Sequence, residues 1–571
     1  MTWQKLPTKT EIVAIHAALL TTSPDGDIVY FGDWAGITPT AAPPTLCRLY
    51  HMAPESVESF QAADRPTTSA FCGGQAFLAR GELLAVGGTV RRPPQIAGDP
   101  HGGHWDGERA CWVYLPRKKM WIRVKDLNFQ PGSTTKGGGR WYPTVVTLAN
   151  GDAFAVGGHP SDTDDYVPLA GGPGQRHNNN TPERYSPAAN TWTLITTDIT
   201  APNGVVADGF PRFRLLPNGL LFTHTEGIGT KRIFDPVLGQ WTGPDVDVSA
   251  LPAVYNRDSY TTSVLLPLLP PNYSARVLAC NSPDPTSFLI DIDDAPKWQA
   301  APSRQGSAAG KRRNHACAVL LPTGQVLLTG GGSGGMVSQI GGPFVPVMEP
   351  ELYTPDIDWS TRTFTGPGSW ATINESANVA RGYHSVALLL PDGRVWTAGS
   401  SEAGVGGQYL PEYDVEVFSP WYVGTARPRI LPSAARKRPP GRARTRKEGV
   451  DYGETFNIAV EGSISHVALM RCGSITHAYD TDQRYVALDF IQRGNQLAVT
   501  APPNGSIAPP GYYMLWVIDA NGNPCERARF IHVPKYAYAY KAPAYHTKRP
   551  RPRTNPRVRP GHRPRTGPRP R

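Results

Sequence analysis

Tyr383 and His384 put a phenol and an imidazole on adjacent residues, inside the run RGYHSVALLLPDGRV. Three distant segments carry groups of related chemistry: Cys72 in FCGGQAFLARGELLAVGG, Tyr142 in GRWYPTVVTLANGDAFAVGG and His477 in GSITHAYDTDQRYV. Copper(II) favours tetragonal sites of nitrogen and oxygen donors, and imidazole suits it well. Two imidazole nitrogens and two phenolate oxygens meet that demand without a coordinating thiolate. Taken singly, each residue has an ordinary reading. Cys72 fits a buried core thiol, Tyr142 and Tyr383 packed phenols with a bonded hydroxyl, and the histidines structural or surface positions. Their joint occurrence sets a metal site beside these ordinary readings.

Residues so far apart in sequence need elements that converge, and the chain repeats a suitable unit. An apolar strand, a turn carrying Gly and a second apolar strand, often ending in Gly-Gly, recur along the chain. The copies are AALLTTSPDGDIVYFGD, GGQAFLARGELLAVGG, TVVTLANGDAFAVGG, FRLLPNGLLFTHT, CAVLLPTGQVLLTGG and ALLLPDGRVWTAG. A degenerate copy, SYTTSVLLPLLPPNYSARVLAC, fills the double-length gap between the fourth and fifth of these. Between copies, lines such as ERYSPAANTWTLI and RIFDPVLGQWT read as outer strands. The pattern predicts an all-β chain: a seven-bladed kelch-type β-propeller over residues 1–427, with helix nearly absent. Residues 428–536 hold alternating strands at sandwich-like spacing and predict a small immunoglobulin-like domain. Residues 537–571 are rich in Pro, Arg and Gly, cannot bury a core, and predict a disordered tail.

Four segments together resemble the radical-copper oxidases, the family of galactose oxidase and glyoxal oxidase. They are FC at 71–72, RWYP at 140–143, the 381–395 run, and THAYDTDQR at 476–484. The resemblance covers the propeller and the C-terminal domain, not the tail. It implies a thioether between Cys72 and Tyr142 that makes a one-electron redox phenol. It implies one Cu(II), with Tyr142, His384 and His477 as equatorial ligands. Tyr383 would be the axial phenolate and the base for the substrate hydroxyl, and His477 would arrive from the C-terminal domain. The implied reaction takes a primary alcohol or hydrated aldehyde and O2 to the oxidised product and H2O2; RWYP looks more like the glyoxal-oxidase branch. In one place the chain departs from galactose oxidase: His159-Pro160 follow Gly157-Gly158 where that enzyme has a Trp stacked over the linked tyrosine. Trp141 is the aromatic that could shield the phenol instead. Arg212 is the candidate substrate-binding cation, with Arg214 close by and a surface position open for either.

Composition limits the alternatives. The net charge is +10, and residues 547–571 alone hold ten Lys or Arg and no acid. Residues 436–448 add a second basic cluster, so the remaining chain is net acidic and the pI of 9.2 describes two segments. No Phe, Trp or Tyr interleaves with the basic residues of 547–571, which disfavours sequence-specific nucleic-acid binding and leaves contact with an anionic polymer as the lesser reading of the tail. Seven cysteines without a CxxC pair exclude a zinc module or a disulfide scaffold. No run reaches a membrane span. Resemblance points to an extracellular or cell-envelope setting, while the N-terminus shows no signal-peptide pattern, so location stays open. The expected state is a monomer acting on a small alcohol or aldehyde. The rival reading is a non-catalytic kelch propeller, a binding module tethered to an anionic partner by its tail.

Overall fold

The computed structural model describes residues 1–32, 41–91, 105–135, 137–161, 179–195, 210–224, 230, 232–251, 262–280, 286–304, 313–334, 343–401, 410–432 and 449–534. The basic insert at 436–448 and the tail from 537 lie outside the described residues. Among those described, the chain is all-β apart from one 3-10 turn, Ala62–Asp64. No helix there is long and apolar enough to cross a membrane.

Each sequence copy folds as an antiparallel sheet. The second runs Gly74–Phe77, Leu83–Val86, Cys111–Leu115, Met120–Arg123, and the third Thr144–Thr147, Ala153–Val156, Glu183–Ser186, Thr191–Leu194. The sheets that begin at Phe213–Leu215, Ser263–Leu265 and Cys317–Leu320 follow the same plan. The last sheet, Ser385–Leu389, Val395–Gly399 and Glu416–Ser419, takes its outer strand from the N-terminus, Thr2–Lys5, in the register Thr2 to Ser419. His16–Leu19 of the first sheet lies beside Ser385–Leu389 of the last. First and last sheets thus meet, and the N-terminal strand fastens the join with backbone hydrogen bonds.

Glycine appears in the repeat for two physical reasons. The turn glycines, Gly81 and Gly393 among them, have φ of 81° and 88°, a region costly for residues with a Cβ. The strand-end glycines admit backbone that leads into the paired inner strand of the same hairpin. A Cβ on Gly158 would lie 2.7 Å from the Trp141 carbonyl, and one on Gly399 would lie 2.6 Å from that of His384. Buried arginines pin these ends: Arg140 donates to the Gly157 carbonyl, Arg313 to Gly330 and Arg381 to Gly399, each at 2.8 Å. Arg140 and Arg313 also pair with the buried carboxylates of Glu183 and Glu351.

Two further sheets form a sandwich. One joins Arg429–Ile430, Thr455–Glu461, Gln496–Thr500 and Phe490–Arg493; the other joins Tyr485–Leu488, Ile464–Arg471, Gly511–Asp519 and Arg529–Val533. Between Arg471 and Tyr485 the sandwich sends out a hairpin, Ser474–Thr476 and Tyr479–Asp480, which pairs with His16–Leu19. Its side chains bond the inner strands of other sheets. Asp482 accepts from Phe77 N at 2.8 Å, Tyr479 donates to the Phe213 carbonyl at 2.7 Å, and Gln483 donates to Ala318 O at 2.9 Å. Arg484 donates to the Leu215 carbonyl at 2.9 Å. Polar groups on inner strand edges would otherwise be buried unpaired, so the hairpin satisfies what the ring of sheets cannot.

Candidate metal centre

The repeat sets a common register for the site. Cys72, Tyr142, Phe210, His315 and His384 each precede an inner strand by the same offset from the turn glycine, Gly81, Gly151, Gly219, Gly324 and Gly393. All five are left-handed, with φ of 57°, 69°, 48°, 61° and 68°. Non-glycine residues avoid this region, and where they are held in it the surrounding structure over-determines them. Backbone bonds stitch three of the positions together: Tyr142 N to Cys72 O at 2.8 Å and Phe210 N to Tyr142 O at 2.6 Å. His477 comes from the tip of the inserted hairpin, also left-handed at φ 48°.

These positions meet in one buried centre. Ligand atoms of Cys72, His384 and His477 all lie within 4.8 Å of one another, with Cys72 Sγ 3.5 Å from His477 Nε2. The two imidazole rings are perpendicular, centroids 4.7 Å apart. Tyr142 lies 4.8 Å and Tyr383 5.4 Å from the His477 ring, and Tyr383 stacks on His384 at 3.7 Å. Each imidazole has its far nitrogen anchored: His384 Nδ1 to Ser401 Oγ and His477 Nδ1 to Thr476 Oγ1, both at 2.7 Å. His384 Nε2 is buried with no hydrogen-bond partner. Burial holds both imidazoles well below the usual histidine range, hence neutral, with a lone pair to offer. A buried, neutral nitrogen left over after its partner nitrogen is tied down is the arrangement a metal-binding histidine needs. Burial also pushes the Cys72 thiol up. The residues fit a copper ion.

Around the centre, aromatic rings enclose Tyr142. Trp141 stacks on it at 3.7 Å and 10°, and Phe210 lies at 4.5 Å. His159 sits 5.1 Å from the Trp141 ring and exchanges backbone bonds with Trp141. The face of the phenol is therefore covered by the residue preceding it in sequence. Arg212 and Arg214 are both buried, so neither is a surface residue. Arg212 donates to the His477 carbonyl at 3.5 Å and lies over the Tyr479 ring, while Arg214 bonds Ser263.

Sequence reasoning passed over His315 and Phe210. His315 meets Tyr383 edge-on at 5.2 Å, and burial together with Arg212 pushes its pKa down to about 3. The signal was present: NHACAVLLPTG and YHSVALLLPDG align histidine to histidine when their turns are superposed. The seven cysteines are all buried, each with a free thiol.

Comparison with known proteins gives these residues a lineage. Residues 100–422 match the family profile described as Glyoxal oxidase N-terminus, and residues 438–533 match the Galactose oxidase-like, Early set domain. The chain is 33% identical over 476 residues to a galactose oxidase of Gibberella zeae, covering 80% of this chain and 59% of that protein. It is 26% identical over 491 residues to an aldehyde oxidase of Vitis pseudoreticulata, covering 79% and 80%. Among solved structures, a fungal alcohol oxidase in complex with copper superposes with a TM-score of 0.68 at 20% identity, over 94% of this chain and 100% of that one, a likeness of fold. By the profile match across more than half its length, the chain belongs to the galactose oxidase and glyoxal oxidase-like family of radical-copper oxidases.

Proposed function

We propose that this chain is a copper-radical oxidase of small aldehydes, in their hydrated form, or primary alcohols, releasing H2O2. The observation that carries the proposal is the convergence of His384, His477 and Cys72 within 4.8 Å in a buried centre that two tyrosine rings share. His384 and His477 would hold the ion through their Nε2 atoms, and Tyr142 and Tyr383 through their phenol oxygens. A bound copper ion would supply one of the two electron-accepting sites and a place for the substrate oxygen. The second electron site is Tyr142, made easier to oxidise by a thioether to Cys72. That bond replaces the thiol S–H and one ring C–H, and the two electrons and two protons released go to O2. Tyr383, stacked on His384, takes the substrate hydroxyl proton. Trp141 and Phe210 cover the faces of the Tyr142 ring and exclude water from it. Arg212, beside the His477 carbonyl, is the cation that would meet a substrate oxygen.

The test is direct. Copper-loaded, oxidised protein is screened with small aldehydes and primary alcohols for peroxide, and its peptides are weighed. The expected result is turnover together with a joined Cys72–Tyr142 peptide pair, lighter by two hydrogens and resistant to thiol reductants. Cys72→Ser should keep most of its copper and lose nearly all turnover. Separate peptides and an alkylatable Cys72 in the mature copper-loaded protein would sink the mechanism and favour a binding module.

A further inference from the structure

Three aromatic rings lead away from the centre in near-parallel stacking. Trp141 covers Tyr142 at 3.7 Å and 10°, and Trp105 covers Trp141 at 5.6 Å and 15°. Trp105 is half-buried, as is Trp141, so the stack reaches solvent. It stands on firm backbone: the next two residues, Asp106 and Gly107, pair with Thr89–Arg91, and Asp106 holds Arg91 in an ion pair at 2.5 Å. Trp141 is fixed as well, by two backbone bonds to His159 at 2.8 and 2.7 Å. Its indole Nε1 is buried without a hydrogen-bond partner, so the ring is held by stacking rather than by a polar contact. A buried indole N–H usually finds an acceptor; here ring overlap has been kept at its expense.

We propose that the Trp141–Trp105 stack is an electron port, a tunnelling bridge between Tyr142 and one-electron oxidants at the surface that are too bulky to enter the centre. The inference rests on the reading above that Tyr142 is the redox phenol. A two-electron reaction run from two one-electron sites stalls whenever the phenol site gains a stray electron, because turnover with O2 moves electrons in pairs. Recovery requires removal of a single electron. In the recovery step the Tyr142 phenolate loses one electron and becomes a neutral phenoxyl, and the external oxidant is reduced by one. No heavy-atom bond forms or breaks. Tunnelling falls steeply with distance, and overlapping π-systems carry it better than saturated side chains or solvent. The indoles act as a bridge and are not themselves oxidised.

The experiment uses the copper-loaded, one-electron-reduced enzyme without substrate or O2. Octacyanomolybdate(V), a substitution-inert outer-sphere oxidant, is added by stopped flow, and the visible absorption of the phenoxyl is followed. Wild type, Trp105→Phe and Trp105→Leu are compared, with copper content and melting temperature confirming that each is folded and loaded. The expected result is a second-order rate close to wild type for Trp105→Phe and lower by an order of magnitude for Trp105→Leu. The phenoxyl, once formed, should decay more slowly in Trp105→Leu, because the same path is closed to electrons entering. Equal or faster formation in Trp105→Leu would mean that the oxidant reaches the phenol by another way and would overturn the port. Absence of any phenoxyl band in wild type would instead overturn the radical reading of Tyr142, and the port with it.

Discussion

Ser401 and Thr476 are the residues on which the proposed metal centre turns without either being a proposed ligand. Their hydroxyls hold His384 and His477 by Nδ1 and so aim both Nε2 atoms inward. Outer partners of this kind are worth about 10–100-fold in metal affinity. Ser401→Ala should therefore lower copper affinity by about that factor while the melting temperature of the copper-free protein changes little. Competition against a chelator of known affinity measures it, and unchanged affinity would remove Ser401 from the site. Thr476→Val should act in the same direction, with an added stability loss, since its hydroxyl also donates to the Ile15 carbonyl. At this scale the sequence was legible where chemistry is rare: a Tyr-His pair or a lone Cys opening a strand stands out from its neighbours. His315 was not, because a histidine before an apolar strand reads as core until the copies are set in register. Trp105 was less legible still, since its contact with Trp141 joins loops and follows no periodicity.

The inserted hairpin shows how an element can be recognised by its motif while its structural duty stays hidden in the sequence. THAYDTDQR reads as a polar loop, but its polar groups are buried and spent on inner strands of the surrounding sheets. Arg471 and Asp482 form a buried ion pair at 2.8 Å at its base, and Arg471 also donates to the Phe77 carbonyl and Thr147 Oγ1. Removing one partner of a buried pair leaves an uncompensated charge and costs about 3–5 kcal/mol. Asp482→Ala should lose stability of that order in denaturant unfolding. It should also weaken copper binding, because His477 rides on the same hairpin. If Asp482→Ala kept full copper affinity despite the lost stability, His477 would be positioned by its own tip alone. The strands themselves were readable from apolar runs between turn glycines, since those glycines have a backbone duty that few residues can replace. The closing strand Thr2–Lys5 was not, because its partner lies at the other end of the ring and four largely exposed residues carry no pattern.

Over the whole molecule, the enclosed histidines set how stability responds to acid. Burial pushes His16 down to about 3, against an opposing contribution from the Gln75 amide, and burial with Arg212 does the same to His315. His384 and His477 are held low as well. In each case the folded-state value lies below the unfolded one of about 6.5, so between the two the unfolded chain binds more protons. Stability is full above about pH 6.5 and falls as the pH drops toward 3, each histidine adding a slope of about 1.4 kcal/mol per pH unit. Asp480 runs the other way. Burial, and then the neighbouring Asp482, raise it to about 6, so acidification relieves a cost there. Burial raises the Asp482 and Asp152 carboxyls as well, but it also holds His224 and His466 low, so the histidines outweigh the carboxyls and the copper-free protein should lose stability steadily below about pH 6.5. His16 tests the effect without removing a proposed ligand: it stacks on Phe31 and meets the His477 ring edge-on at 6.1 Å, and it can be replaced by a residue that never titrates. Denaturant unfolding of copper-free wild type and His16→Gln at pH 7 and pH 5 should give a smaller acid loss in the variant, whatever its absolute stability. An equal loss in both would mean that His16 keeps an ordinary pKa, and that water or a polar neighbour reaches its ring in the folded protein.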